Sequence, residues 1–297
     1  MKPNAVSRHS FSVRIRYLVI SLATVAALVL YASTFSVPVL RVSFIPDESP
    51  SVLRRKFKPL SDYLEKRIGM KIEFRPSADG DALVEALNSN KLDMVWLDGF
   101  NFILAKARSN DQVMPLVQRA EDAKTQSVFI TAHTDITKLE DLKGRTFSFG
   151  ARTSASGHLM PRYFLLAAYI DPDTDMNRIE FSGDDAATVA AVAGGKVDAG
   201  ALNSATWQRL VEQGKAGSGE VHVFHTTPDY HDYSWSVRAD MDVNLRLKLT
   251  DAFLALDRNN VQDREILDLL RASRFVPANA ENYSVIEAAA RGTGSNP

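Results

Sequence analysis

Cysteine is absent from the 297 residues. That excludes a disulfide framework, thiolate metal sites, a cysteine nucleophile and a lipid-modified cysteine anchor. An excess of base is missing too: 35 Lys and Arg stand against 36 Asp and Glu, a net charge of −1. A nucleic-acid partner therefore has no electrostatic footing. The chain also lacks G-x-S-x-G, H-E-x-x-H, Walker and G-x-G-x-x-G motifs. With no nucleophile beside a partnered base, neither an enzyme, a resident metal nor a cofactor is expected.

Acid is lacking locally as well. Residues 1–46 carry Lys2, Arg8, Arg14, Arg16 and Arg41 and no Asp or Glu. Tyr17 to Leu40 is uncharged, and Tyr17 to Tyr31 is almost wholly apolar or small. A basic head before an apolar run is the layout of an export signal. The run lies between a signal core and a full membrane span of about 20 residues in length. Residues 1–37 thus read as a signal peptide or as an N-terminal membrane anchor. Thr34 and Ser36 give the only small-residue spacing for cleavage, and an uncut anchor would keep its basic end cytoplasmic. The expected location is the periplasm, with attachment to the inner membrane if the segment stays uncut.

From residue 38 onward, short β-type runs alternate with amphipathic helical stretches, which is α/β layering. Arg41–Ile45, Lys71–Arg75 and Met94–Leu97 read as strands, with helices from Ser51 to Ile68 and from Asp81 to Asn88. The pattern recurs 105 residues later. Ala82, Val84, Ala86, Lys91, Asp93 and Leu97 match Ala187, Val189, Ala191, Lys196, Asp198 and Leu202, and Ser43-Phe44 matches Ser148-Phe149. A repeat at one spacing implies two similar lobes. Lobe 1 is expected over residues 38–132 plus 233–297 and lobe 2 over 133–232. Ser127–Ala132 and Ser234–Arg238 are expected to cross between them, with helices near Leu245–Asn259 and Arg264–Ser273 packed on lobe 1.

In such folds the loops after strand carboxyl ends hold ligands. Here they are Ile45-Pro46-Asp47, Leu97-Asp98-Gly99, Gly150 to Gly157, and Leu202-Asn203-Ser204. Two facing lobes would gather them at one cleft able to close on a small solute. The sharpest motif is Thr153-Ser154-Ala155-Ser156-Gly157-His158, running into Leu159-Met160-Pro161. A helix should begin here, with Ser156 as its N-cap and Pro161 near the first turn. Its exposed amides, the serine hydroxyls and the close approach allowed by Gly157 can hold an oxyanion, or the residues serve only as a cap.

Asp79-Gly80-Asp81 and Asp184-Asp185 precede the second helix of each lobe and read first as N-caps. Alternatively some of these carboxylates, and Asp98 at a strand end, meet a ligand in the cleft. His225, Asp229, His231 and Asp232 lack any recognised ligand spacing. Tyr230, Tyr233 and Trp235 line the cleft or pad the hinge.

The order Ile45-Pro46-Asp47-Glu48-Ser49-Pro50, Lys91-Leu92-Asp93-Met94-Val95-Trp96-Leu97, Ser154 through Tyr163 and Val197-Asp198-Ala199-Gly200-Ala201-Leu202-Asn203 resembles the phosphate/phosphite/phosphonate-type substrate-binding proteins of ABC transporters. Glu121-Asp122-Ala123-Lys124, Thr226 to Tyr233 and Arg271 to Phe275 look most like the branch described as selenate-binding. The resemblance implies an α/β, type II periplasmic binding protein, two α/β lobes joined by crossover strands. It implies a solute-binding subunit that takes a small oxyanion and docks on permease subunits. The implied ligand residues are Ser154, Ala155, Ser156, Gly157, His158, Asp98, Gly99, Asp185 and Asn203. The sequence departs from the family at Ala155 (a hydroxyl in the family), Gly80 (an aromatic), Leu97 (a Tyr) and Asp185 (a His). Each departure removes a donor or a wall, and Asp185 sets a carboxylate near the expected anion. A membrane-anchored sensor or accessory protein with an altered pocket is the other reading.

Overall fold

The computed structural model describes residues 38–44, 50–216 and 221–295. The expected export segment over 1–37 and the Ile45-Pro46-Asp47 loop lie outside them. The first sheet is built from β1 (Val39–Phe44), β2 (Lys71–Phe74), β3 (Met94–Leu97) and β4 (Val113–Arg119), joined by helices α1 (Pro50–Ile68), α2 (Gly80–Asn88) and α3 (Gly99–Arg108). The chain then enters the second sheet. Its strands are β5 (Ser127–Thr131), β6 (Thr146–Phe149), β7 (Arg178–Phe181), β8 (Ala199–Asn203) and β9 (His222–Thr226), with helices α4 (Met160–Ala167), α5 (Asp185–Ala193) and α6 (Ser204–Glu212). It returns through β10 (Ser234–Arg238) and ends in α7 (Val243–Leu254), α8 (Val261–Leu269), β11 (Phe275–Pro277) and α9 (Ser284–Gly292).

Strand order is β11-β4-β10-β3-β1-β2 in one sheet and β7-β6-β8-β5-β9 in the other. Each sheet thus receives an interior strand that runs antiparallel to both neighbours, β10 between β3 and β4 and β5 between β8 and β9, and β11 adds an antiparallel edge beside β4. The expected crossings at Ser127–Ala132 and Ser234–Arg238 are both corrected on this point, since β10 lies within the first sheet between β3 and β4. Ser127–Thr131 is buried at every position, and such a strand needs hydrogen-bond partners on both edges. Both partners, β8 and β9, belong to the second sheet. The sheets are joined instead by residues 120–126 and 227–233, which are pinned together where Thr125 and Tyr230 exchange main-chain hydrogen bonds of 3.0 and 2.9 Å.

The 105-residue repeat is structural. In the first sheet Val42 pairs with Met94, and in the second Phe147 pairs with Ala199 at the same offset. Asp93 Oδ2 accepts the Arg41 amide at 2.8 Å, and Asp198 Oδ2 accepts the Thr146 amide at 2.7 Å. Asp79 and Asp184 cap α2 and α5 by accepting from Ala82 and Ala187 at 2.8 and 2.7 Å. Both aspartates therefore act as N-caps, where a carboxylate also complements the helix dipole.

Packing follows from the apolar spacing. Phe57, Leu60, Leu64 and Ile68 share one face of α1 and are buried on the first sheet with Leu40, Val42, Ile72 and Trp235. Each such side chain contributes roughly 1.5–3 kcal/mol. Leu249 and Phe253 of α7 and Ile266 and Leu267 of α8 complete that core, so the C-terminal helices pack on the first sheet as expected. On its other face Leu83, Leu97, Phe100 and Ile286 share a cluster with Ala155, Leu159 and Met160 from the second half. The two halves therefore touch at the Ser154–Met160 turn. Among the described residues no helix is long and apolar enough to cross a membrane.

Candidate functional site

The Ser154–Gly157 turn is an interior feature. Ala155, Ser156 and Gly157 are buried, and the chain passes from Ser154 through a wide turn (Ala155–Leu159) into α4. The N-cap is Ser154 rather than Ser156: its Oγ accepts the Gly157 amide at 3.0 Å. That amide is thus engaged within the turn. The Ser127 hydroxyl donates to the Ser156 carbonyl at 2.8 Å and lies 2.8 Å from the Tyr230 hydroxyl. Asn203 caps α6 through the Ala205 and Thr206 amides and points its Nδ2 toward Ser156 Oγ at 3.4 Å.

The first half meets this turn through the start of α3. Asp98 caps that helix, its Oδ1 accepting from the Asn101 amide at 2.7 Å, while Oδ2 accepts the Ala155 amide at 3.3 Å. Asn101 Nδ2 bonds Asp98 Oδ1 and reaches the Thr153 carbonyl at 3.1 Å. Gly99 is dictated by packing, since a Cβ there would sit 2.2 Å from Ile286 Cδ1. Its amide donates to Asp232 Oδ1 at 2.9 Å. Asp185 arrives from the start of α5: a Cβ built on Gly157 would lie 3.4 Å from Asp185 Oδ1, and one on Gly150 3.7 Å from it. Of the nine residues expected at the site, eight converge here.

His158 is the exception. Its ring packs edge-on against Phe149 and Phe181, and Nδ1 is 2.7 Å from the Arg152 carbonyl. Burial lowers its pKa to about 4, so the imidazole is neutral and serves the core of the second half. The histidine-aspartate group near residues 225–232 disperses in the same way. His225 stacks edge-on Phe129, Asp229 takes Gln126 and His231 takes Gln118. Among the described residues no cluster could hold a metal ion.

Two side chains outside the four strand-end loops, Asp232 and Tyr233, join the site. Asp232, in the returning crossover, is fully buried and its Oδ2 has no hydrogen-bond partner. Tyr233 stacks on Trp96 at 5.6 Å and 14° between planes. Its hydroxyl feels the charges of Asp98, Asp232 and Asp185 together, and its pKa is raised by burial and by those carboxylates. The only signal in the sequence was a carboxylate between two tyrosines in a segment joining the lobes. Trp235, the third aromatic considered for the cleft, is buried in the core of the first sheet instead.

The electrostatics are unusual for an anion site. Burial pushes Asp98 up to about 6 against the hydrogen bonds of Asn101 and Ala155. Asp232 is raised by burial and by the Asp98 charge. Asp185 is pushed up to about 6 by burial, while the Thr206 side chain, the Asn203 main chain and the Arg209 charge pull the other way. The guanidinium of Arg119 stacks on Trp96 and Tyr233 at 5.2 and 5.8 Å, but both its Nε and Nη2 are held by Asp122 at 2.6 Å.

Two interleaved α/β sheets with swapped strands and a buried polar seam between them define a bilobal, type II-like periplasmic binding protein. The sequence over residues 42–283 matches the family of ABC transporter phosphonate periplasmic substrate-binding proteins, and the chain belongs to that family. It is similar to the probable ABC transporter phosphite binding protein PhnD1 of Prochlorococcus marinus (strain MIT 9301), with 31% identity over 273 residues, 86% of this chain and 92% of that protein. The structure of PhnD1 in complex with methylphosphonate aligns with a TM-score of 0.78 at 30% identity, covering 87% of this chain and 99% of that one. The aliphatic sulphonate binding protein SsuA of Escherichia coli shares the fold, with a TM-score of 0.60 at 21% identity over 88% of each chain. The protein is thus an exported, periplasmic substrate-binding component that works with transporter permease subunits, and not an enzyme.

Proposed function

We propose that this protein captures a small phosphonate-class oxyanion between its two halves and delivers it to the permease. The observation that carries the reading is the Asp98–Ala155 contact. A cap of the first half and the serine-rich turn of the second meet in one buried polar seam, on a fold similar to that of PhnD1 with methylphosphonate. In this reading lobe 1 comprises residues 38–119 and 234–295, lobe 2 comprises 127–226, and the two crossover segments are the hinge. Ser154, Ser156 and Asn203 supply hydrogen bonds to the anion, Gly157 lets the turn pack against the backbone of Gly150, and the Trp96–Tyr233 stack forms a wall for its substituent.

Titration calorimetry with methylphosphonate, phosphite, phosphate and selenate tests this. The expected result is submicromolar to micromolar binding of the phosphorus oxyanions, weakened at least tenfold by Ser156→Ala. Absence of binding to all four would reject the reading. Selenate as the tightest of them would move the protein to the selenate branch. The anchored-sensor alternative depends on residues 1–37 remaining attached, which the mass of the mature chain decides.

A further inference from the structure

The C-terminal helix α9 is fastened to one half of the molecule and rests on the other. Ahead of it β11 pairs with β4, and the Ala278 amide donates to the Leu116 carbonyl at 3.0 Å. Tyr283, fully buried, packs on Phe102 of α3 with ring centroids 4.7 Å apart, and Ile286 fills the space that a side chain at Gly99 would need. These contacts tie α9 to the first half. It also meets α4 of the second half. Ala289 and Ala290 are buried in a cluster shared with Leu159 and Met160, with Tyr163 packed against it. At the last turn of α9 a Cβ built on Gly292 would stand 3.5 Å from the Tyr163 ring.

The two contacts differ in kind. A Cβ at Gly99 would overlap Ile286 at 2.2 Å, so α3 and α9 interlock, whereas the 3.5 Å at Gly292 is ordinary van der Waals contact. The α3 side parts only by repacking, and the α4 side parts freely. The residues that α9 turns toward α4 are small, and Ala and Gly have no side-chain rotamers to freeze when the surfaces meet. Residues 120–126 and 227–233 are the connections between the sheets. Opening about them carries α9 away with the first half and leaves Met160 and Tyr163 facing water. Exposing that apolar surface opposes the opening.

We propose that α9 is a strap between the halves: it travels with the first half, closes onto α4, and through the Tyr163–Gly292 contact sets how readily the two halves shut. This rests on the phosphonate reading above only where ligand affinity is the readout. Tyr163 and Gly292 are positioning residues, since neither is among the residues that hold the anion. A ligand that binds the closed form has an apparent dissociation constant equal to its intrinsic value divided by the closed fraction. Weakening the strap lowers that fraction, so affinity falls while the pocket itself is unaltered. The loss belongs to the dissociation rate, because the ligand first meets the open form, in which α9 already stands away from α4.

Calorimetry and stopped-flow binding of methylphosphonate, together with small-angle scattering of the ligand-free protein, test the strap in Tyr163→Ala and Gly292→Asp. Gly292 is exposed at the helix end, so Gly292→Asp decides the matter should Tyr163→Ala fail to fold. The expected result is about a tenfold loss of affinity in each variant, carried by faster dissociation at a nearly unchanged association rate. Without ligand each variant should have a larger radius of gyration than the wild type, and at saturation the same one. Tyr163→Leu, which keeps an apolar side chain against α9, should recover most of the affinity. Affinity indistinguishable from wild type in both variants overturns the proposal while leaving the phosphonate reading intact. Tighter binding in either variant also overturns it, because the contact would then belong to the open form. So does weaker binding with scattering and dissociation rate unchanged. If the wild type binds no methylphosphonate the phosphonate reading falls, and scattering of the ligand-free variants alone judges the strap: no expansion overturns it.

Discussion

Asp98 Oδ2 accepts the main-chain amide of Ala155 at 3.3 Å, and this bond joins the cap of α3 in the first half to the serine-rich turn of the second. The same carboxylate satisfies Asn101. Replacing it removes both a cap and a contact between halves. Asp98→Ala is expected to lower stability by about 1–2 kcal/mol through the lost cap, read as a lower midpoint in urea unfolding. It should weaken ligand affinity by more than that loss of stability would suggest, because the turn loses its partner.

Asp122 is buried beside the hinge and is paired with the half-buried Arg119. Although burial opposes its charge, hydrogen bonding to Asp122 holds the guanidinium protonated. Arg119→Met leaves the Asp122 carboxylate inside without its cation. A loss of about 3–5 kcal/mol is expected, checked by chemical denaturation. The double variant Arg119→Met with Asp122→Leu should recover a large part of it, since both charges are then gone.

Gly99 has no room for a side chain, with Ile286 Cδ1 standing 2.2 Å from where a Cβ would be. Gly99→Ala is expected to cost about 1–3 kcal/mol as α9 is pushed off α3. Ile286→Val in the same chain should relieve part of that cost. Thermal unfolding of the single and double variants measures the coupling.

His158 carries a pH signature. Its folded pKa is lowered to about 4 by burial from an unfolded value near 6.5. The folded form therefore prefers the neutral ring. That contribution to stability is complete above pH 6.5 and is lost progressively as pH falls toward 4. Asp98, raised to about 6, acts in the opposite sense: its contribution is present at acid pH and lost as pH rises through 6. His158→Phe should unfold at nearly the wild-type temperature at pH 7.5 and become relatively more stable as pH drops from 6.5 to 4. Melting curves across that range would disprove the assignment if the two proteins tracked each other in parallel.

The architecture was legible because it rests on periodicity. Apolar spacing marked α1 and α2 to within a residue, and the 105-residue offset turned out to be a repeat of strand register, helix caps and the paired roles of Asp93 and Asp198. The serine-rich turn was legible too, since a cap signal, a glycine and a proline in one stretch fix where a helix starts. The course of β5 was not. A short apolar strand reads the same whether it bridges two sheets or lies inside one, and its partners begin only at Ala199, far along the sequence.

The direction of each side chain was equally beyond local reading. His158 belongs to the same turn as Ser156, yet it points into the aromatic core of Phe149 and Phe181. Asp232 looks like one carboxylate of a polar loop, yet it is sealed inside with one oxygen unpaired. The sequence by itself determined the α/β alternation, the duplication and the place of the serine-rich turn, because these depend on spacings within a few residues or on one constant offset. Only the tertiary structure decided that Asp98, Asp185, Asp232 and Tyr233 share a single space. Burial and long-range electrostatics arise where distant segments meet, and no local pattern encodes that meeting.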